Sequence, residues 1–330
     1  MTTTKYFITG GAGFIGSNFI QYLLNRYQDI GVLNFDKLTY AGDLTNLSSV
    51  DHDPRYQFVK GDICNKVQLG TAFKQFKPDY VINFAAETHV DRSILHPDIF
   101  VRSNVLGVQN LLELSRKNEI TKFLQISTDE VYGSLGATGS FSETTPISPR
   151  SPYSASKASA DLLTGAYFHT FNLPVNITRC SNNYGPYQFP EKLIPLTIFS
   201  CLQGEKIPVY GDGLNIRDWI YVEDHCSAVD LVLHKGTVGE IYNVGANNER
   251  TNIEIVKLII SIMSDLCIGL DISEDLISYV KDRKGHDYRY SIDSTKIQKD
   301  LNWKPAMSFN TGIDKTIRWY LDQTDWLEGT

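Results

Sequence analysis

The chain is poor in the features that would take it out of the ordinary globular class. Its five cysteines (Cys64, Cys180, Cys201, Cys226 and Cys267) are odd in number, widely spaced and include no Cys-x-x-Cys pair. That removes a disulfide framework, a zinc knuckle and a thiol-redox motif together; reduced thiols are the expected state, and no metal site is expected. No apolar run approaches the about 20 residues that a membrane span needs. Met1–Lys5 passes straight into Tyr6-Phe7-Ile8 without a signal-type hydrophobic stretch, so no membrane partner is expected and cytoplasm is the expected compartment. Basic charge is scarce as well: 31 Lys and Arg against 38 Asp and Glu leave a formal charge of −7. Nothing in that balance attracts nucleic acid, and an anionic ligand has to be held by local arginines and lysines.

What is present is a normal supply of core and of alternating elements. The 330 residues are 42% hydrophobic and 21% charged, enough for two cores or for one large core with a smaller lobe. Strand-type runs at Tyr6–Thr9, Val32–Asp36, Tyr56–Lys60, Tyr80–Phe84, Phe123–Ser127 and Val175–Arg179 alternate with helical patterns at Phe14–Arg26, Lys66–Phe76, Phe100–Asn118 and Ser154–Phe171. The alternation predicts an α/β fold, a doubly wound parallel (Rossmann) sheet with helices on both faces. Beyond Arg179 the pattern loosens into Gly-, Pro- and Asn-rich stretches between short helices at Leu193–Gln203, Val222–His234 and Asn252–Ser264. Residues 1–180 are expected to form the nucleotide-binding domain, with returning segments from about 210–240, and 181–330 mainly a smaller, interwoven α/β substrate-binding lobe.

Thr9-Gly10-Gly11-Ala12-Gly13-Phe14-Ile15-Gly16 follows the first strand and opens the first helix. In that context Gly10, Gly13 and Gly16 let the backbone approach a pyrophosphate, whose charge meets the free N–H groups of Phe14 and Ile15 at the helix start. Asp36 ends the second strand, 20 residues beyond Gly16, where a carboxylate accepts from an adenosine ribose and repels a 2′-phosphate. NAD is therefore the expected cofactor, with Lys37 nearby as a feature that favours NADP. Asp62-Ile63, after the third strand, reads either as an adenine border or as a surface turn.

Tyr153-x-x-x-Lys157 places a phenol and an ammonium on one helical face, and the lysine charge is expected to lower the phenol pKa. Tyr56-x-x-x-Lys60 has the same spacing but falls in a strand-type run, whereas Tyr153 follows Ser151-Pro152 at a helix start. Ser127-Thr128-Asp129-Glu130-Val131-Tyr132-Gly133 sits at the carboxyl end of the fifth strand, where doubly wound sheets bind ligands.

The glycine loop, Asp36, Asn83-Phe84-Ala85-Ala86, Asn104, Tyr153 and Lys157 together resemble the extended short-chain dehydrogenase/reductase superfamily over nearly the whole chain. Within it, Ser127–Gly133 resembles the dTDP-glucose 4,6-dehydratase family. The resemblance implies that Thr128 holds the sugar O4, Asp129 acts as acid, Glu130 as base, Tyr153 as the O4 base and Lys157 as its partner. It also places Thr39, Ala85, Ala86, Asn104 and Asn183 at the cofactor. The implied reaction oxidises C4 with NAD, eliminates water across C5 and C6, and returns hydride to C6. Chemistry supports that order, because H5 is acidic enough for a carboxylate only beside a C4 ketone. Two adjacent carboxyls take opposite roles only if their environments separate their pKa values.

For the nucleotide-sugar substrate, Arg217 and Arg283 are the candidates for binding phosphate, with forks suited to its oxygens. The resemblance adds His89, Asn182, Glu191, Lys192, Leu193, Pro208, Tyr210, Asn252 and His286, each of which also reads as a loop or packing residue. Lys284 stands where the family pattern has proline, and Ala246-Asn247 where it has Gly-His. The helices around Phe100–Asn118 and Ser154–Phe171 resemble those of a four-helix dimer seam, which implies a homodimer. A 4-epimerase or decarboxylase would share the NAD site and Tyr153 without needing both carboxyls, and a dehydratase of another nucleotide sugar stays open. A silent NAD-binding regulator would not need the full Thr, Asp, Glu, Tyr and Lys set. Adjacent carboxyls also lack the roughly 5–10 Å separation of a glycosidase pair.

Overall fold

The computed structural model describes residues 3–323. Twelve strands occur among them: β1 (Thr4–Thr9), β2 (Ile30–Asp36), β3 (Tyr56–Lys60), β4 (Tyr80–Asn83), β5 (Lys122–Thr128), β6 (Val175–Cys180), β7 (Asn182–Tyr184), β8 (Ile207–Tyr210), β9 (Ile216–Tyr221), β10 (Ile241–Val244), β11 (Glu249–Thr251) and β12 (Ile277–Val280). Seven of them make one sheet in the order β10-β6-β5-β4-β1-β2-β3. All its pairings are parallel, for example Thr9 opposite Asn83 and Thr128 opposite Cys180. The doubly wound sheet expected from the alternation is therefore present, and the chain reverses direction across it between β1 and β4. That reversal opens a crevice at the carboxyl ends of the strands.

The six anticipated strands match β1 to β6 to within two residues at each end. The seventh, β10, comes from a short run beyond the second lobe's first strands and pairs with β6. Helix Val222–Lys235 joins it on the main sheet, where Val222, Val229 and Val232 share a core with Tyr6, Ile8 and Leu23. On the opposite face Phe7, Phe35, Phe73 and Phe123 pack with Leu111 and Leu112. The remaining strands form a three-stranded sheet, β11-β9-β7, and a two-stranded one, β12-β8. Around these sheets a separate core of Ile194, Ile198, Trp219, Ile255, Ile259 and Ile313 is assembled.

One anticipated element differs in form. Phe100–Asn118 is not a uniform α-helix: Val101–Gly107 is a π-turn between the short helix Pro97–Phe100 and helix Val108–Lys117. Asn104 supplies the reason. Its side chain is buried and turned inward, where Oδ1 accepts from Glu87 N (2.9 Å) and Nδ2 donates to Glu87 O (3.0 Å) and Ser156 Oγ (2.9 Å). Wide turns of this kind are common next to functional sites.

Candidate active site

The glycine turn is built as its sequence requires. Gly10 has φ +69°, and a Cβ there would come 2.5 Å from Ala85 N. Gly13 differs: a Cβ would meet nothing closer than Gly10 O at 3.4 Å, so glycine at this position keeps cleft space open rather than relieving a clash. Gly13 also caps helix Phe14–Arg26 without any side-chain acceptor, which leaves the first-turn N–H groups for a ligand. Gly10, Gly13, Phe14, Ile15, Gly16, Asp36, Lys37, Thr39, Asp62, Ile63, Ala85 and Ala86 all line one long cleft. Asn104 does not line it but anchors the Glu87 backbone beneath. Asp36 accepts from Ala12 N (2.9 Å) and Leu38 N (2.8 Å), so the same carboxylate braces the glycine turn. Burial raises its pKa. Lys37 is tied to Asp62 at 2.8 Å, which compensates a charge that would otherwise welcome a 2′-phosphate. These features fit a dinucleotide without that phosphate.

The chemistry-bearing groups converge where this cleft meets a second one. Thr128, Glu130, Tyr153, Lys157, Asn182 and Asn183 line the first, and Glu130, Asn182 and Asn183 line the second too. Tyr153 and Lys157 stand in the first turns of helix Pro152–Phe171, which starts there because Ser151 and Ser154 cap each other reciprocally ahead of Pro152. Thr128 ends β5 and caps the short turn Asp129–Tyr132, accepting from Glu130 N at 3.3 Å. Asp129 is buried; Thr128 Oγ1 donates to its Oδ1 (3.3 Å), while Oδ2 has no partner. Its pKa is raised well above the ordinary range by burial and then by the charges of Glu130 and Asp218. Burial raises Glu130 as well, opposed by Arg217 and Lys192. The two carboxyls therefore differ in setting, one enclosed and one facing the clefts, while burial raises both.

Lys157 donates to Ile126 O at 2.6 Å, and burial lowers its pKa. The expectation that it lowers the Tyr153 phenol is not met. Burial and then the Glu130 charge push Tyr153 well up.

The second cleft takes the remaining candidates: His89, Glu191, Lys192, Leu193, Pro208, Tyr210, Arg217, Asn252, Arg283 and His286. Arg217 donates to the carbonyls of Ile216 (2.7 Å) and Asp287 (2.9 Å), and its guanidinium lies 4.3 Å from the Tyr290 ring centre. Arg283 holds Asp91 bidentately at 2.6 and 2.7 Å, so a carboxylate fills its fork. His286 Nδ1 is 2.7 Å from Asp282. Of the two departures, Lys284 is exposed, and Asn247 takes φ +53° beside an Asn248 N–H that donates to buried Asp218.

Sequence reasoning gave no individual role to Glu87, a buried carboxylate on the first cleft whose Oε2 has no hydrogen-bond partner, although its loop was expected beside the nicotinamide and sugar. It also passed over Gln188, Phe189, Asp287 and Tyr290, which carry no local motif. Buried His225 escaped as well. Its Nδ1 lies 2.8 Å from Asn183 Oδ1, and burial pushes its pKa down to about 3, so a neutral ring fixes the asparagine amide.

A parallel doubly wound sheet, a glycine turn with an acidic second strand, and a Tyr-x-x-x-Lys helix beside them define an extended short-chain dehydrogenase/reductase. More narrowly, the chain belongs to the GDP-mannose 4,6-dehydratase family, whose model its residues 7–316 match. It is 50% identical to the dTDP-glucose 4,6-dehydratase of Neisseria meningitidis (98% of this chain, 94% of that one) and 48% identical to that of Escherichia coli (98% and 95%). Among solved structures, it superimposes with a TM-score of 0.93 and 44% identity on the Streptomyces venezuelae dTDP-glucose 4,6-dehydratase with NAD bound, covering 98% of each chain. The UDP-glucose 4-epimerase of Thermotoga maritima gives 0.88 at 29% identity, covering 97% of this chain and 100% of that one. The resemblance carried by Ser127–Gly133 is thus borne out by full-length relatives.

Proposed function

We propose that the chain dehydrates dTDP-glucose to dTDP-4-dehydro-6-deoxy-glucose with NAD as its resident cofactor. The observation that carries this reading is the Asp129-Glu130 pair: an enclosed carboxyl whose pKa burial raises well above the ordinary range, next to one that lines both clefts, beside Tyr153. Bound along the first cleft, NAD would supply a positive ring and a reversible two-electron oxidation of the sugar. Gly10, Gly13 and Gly16 hold its pyrophosphate against the helix start, and Asp36 its ribose. Tyr153, as a phenolate that Lys157 would stabilise, removes the O4 proton while Thr128 orients that oxygen. Glu130 then takes H5, acidified by the C4 carbonyl, and Asp129 protonates the departing C6 hydroxyl so that it leaves as water. Glu130 afterwards returns its proton to C5. The proton gained by Tyr153 matches the one lost by Asp129, and the Thr128 hydroxyl, which donates to Asp129, gives a route between them. Arg217, Arg283 and His286 hold the diphosphate; Asn182, Glu191, Lys192, Leu193, Pro208, Tyr210 and Asn252 enclose the rest, with His89 at the hexose.

Residues 1–180 with the returning 210–240 region carry the cofactor, and 181–330 mainly the substrate. We infer further that the protein works as a homodimer in the cytoplasm. Among the described residues no helix is long and apolar enough to cross a membrane. Helices Val90–Leu95 and Pro152–Phe171 leave apolar side chains bare, with Leu95 73% and Leu162 65% exposed. Incubation with dTDP-glucose in deuterated water, followed by NMR, tests the reaction. The expected product is a 4-keto-6-deoxy sugar with deuterium at C5; unchanged or merely C4-inverted sugar overturns the proposal.

A further inference from the structure

A chain of contacts outside the catalytic set crosses the cofactor cleft. Tyr40 sits in the loop after β2, between Thr39 and Ala41, which line that cleft. Its hydroxyl donates to Glu191 Oε1 at 2.9 Å, and its ring meets Phe189 edge-on at 5.6 Å between centres. Phe189 and Glu191 line the cleft too, but come from the segment that leads into helix Leu193–Gln203 of the second lobe. The Arg92 guanidinium lies 3.9 Å from the centroid of the same ring. Arg92 belongs to helix Val90–Leu95, and its head also lies 3.9 Å from the carboxylate of buried Glu87. Three separate segments therefore meet on one tyrosine: the loop that follows the ribose acid, the segment after β4, and the entry to the second lobe.

We propose that Arg92, Tyr40 and Glu191 form a clasp over the dinucleotide cleft, with Tyr40 as a positioning residue whose task is to slow cofactor exit. A dinucleotide seated between the glycine turn and the second lobe would have to part the loop of Thr39 from the segment of Glu191 to leave, and Tyr40 ties the two together. A charge-assisted hydrogen bond and a cation stacked on an aromatic face are well suited to this work: each is directional, and each reforms when the loop falls back. Retention has a purpose that rests on the reaction proposed above. Hydride taken from C4 has to be given back at C6 of the same sugar, and a dinucleotide that departed between the two transfers would strand the sugar as a ketone with no hydride to complete it.

The test measures release, not turnover. Holoenzyme is loaded with NADH, and its fluorescence is followed after a chase with excess NAD, for the parent protein, Tyr40→Phe and Arg92→Gln. Tyr40→Phe removes one hydroxyl and keeps the ring, so its NADH dissociation is expected to quicken about tenfold, the size of one hydrogen bond to a charged group. Arg92→Gln is expected to quicken it as well, and the double variant to gain less than the product of the two, since both act through one ring. A purely structural role would instead lower the unfolding midpoint and leave the release rate alone. Release at the parental rate in folded Tyr40→Phe overturns the clasp. Failure of the reaction itself is distinguishable: the variants would still release NADH faster while no variant, nor the parent, dehydrated dTDP-glucose.

Discussion

Asp129 and Glu130 are neighbours in sequence, and the turn they open sends one carboxyl into the protein and the other into the clefts. Glu130→Gln keeps the shape and removes the base; we expect cofactor and nucleotide binding to persist while turnover falls by at least ~10², measured in steady state beside a binding isotherm. For Asp129 the folded pKa lies above the unfolded one. Such a group favours the native state at low pH and withdraws that support as the pH rises through the ordinary carboxyl range toward the raised value, about 1.4 kcal/mol for each unit of displacement. Asp129→Asn should therefore melt higher than the parent at pH 8 and no higher at pH 4, while losing activity throughout. A calorimetric pH series with equal midpoints at pH 8 would contradict the raised value. Cofactor choice is also set by single side chains: Asp62→Ala releases Lys37 from its 2.8 Å partner, and the preference for NAD over NADP should narrow by up to about tenfold in paired titrations.

Among the elements, the π-turn Val101–Gly107 is the most consequential departure from regularity, because Asn104 reaches the Glu87 backbone only from that wider turn. Asn104→Ala leaves a buried N–H and a buried carbonyl unpaired, and should cost about 1–3 kcal/mol in urea denaturation. It should weaken NAD as well, since Ala85, Ala86 and Glu87 lose their anchor. No signal in the sequence marks that turn: Val101, Val105 and Val108 satisfy a helical period whether or not one residue is inserted. The main strands were legible because buried parallel strands carry apolar runs bounded by turns, as in Tyr6–Thr9 and Phe123–Ser127. Strand β10 was not, since four residues among glycines and asparagines offer no period. Motifs with short spacing disclosed the reaction centre. Pairs such as Arg283 with Asp91, 192 positions apart, or Tyr40 with Glu191, 151 apart, exist only once the chain is folded.

Taken whole, the molecule leaves a band of apolar side chains on the helices beside the cofactor sheet, with Val101 56%, Leu106 44% and Phe171 48% exposed. Patches of that kind mark association surfaces. If the proposed homodimer uses this face, the paired change Leu106→Glu and Leu162→Glu should halve the mass seen by light scattering and leave the melting of the isolated subunit close to that of the parent; an unchanged mass would overturn that placement. The route of the chain has a bearing on its biosynthesis. Strand β6 is flanked by β5 and β10, yet the polypeptide departs at Cys180 and supplies β10 only at Ile241. On the ribosome, then, a fully buried strand waits with one hydrogen-bonding edge bare while some sixty further residues emerge. A nascent protein stalled in that interval would be expected to recruit chaperones, or to pair wrongly with its own copies.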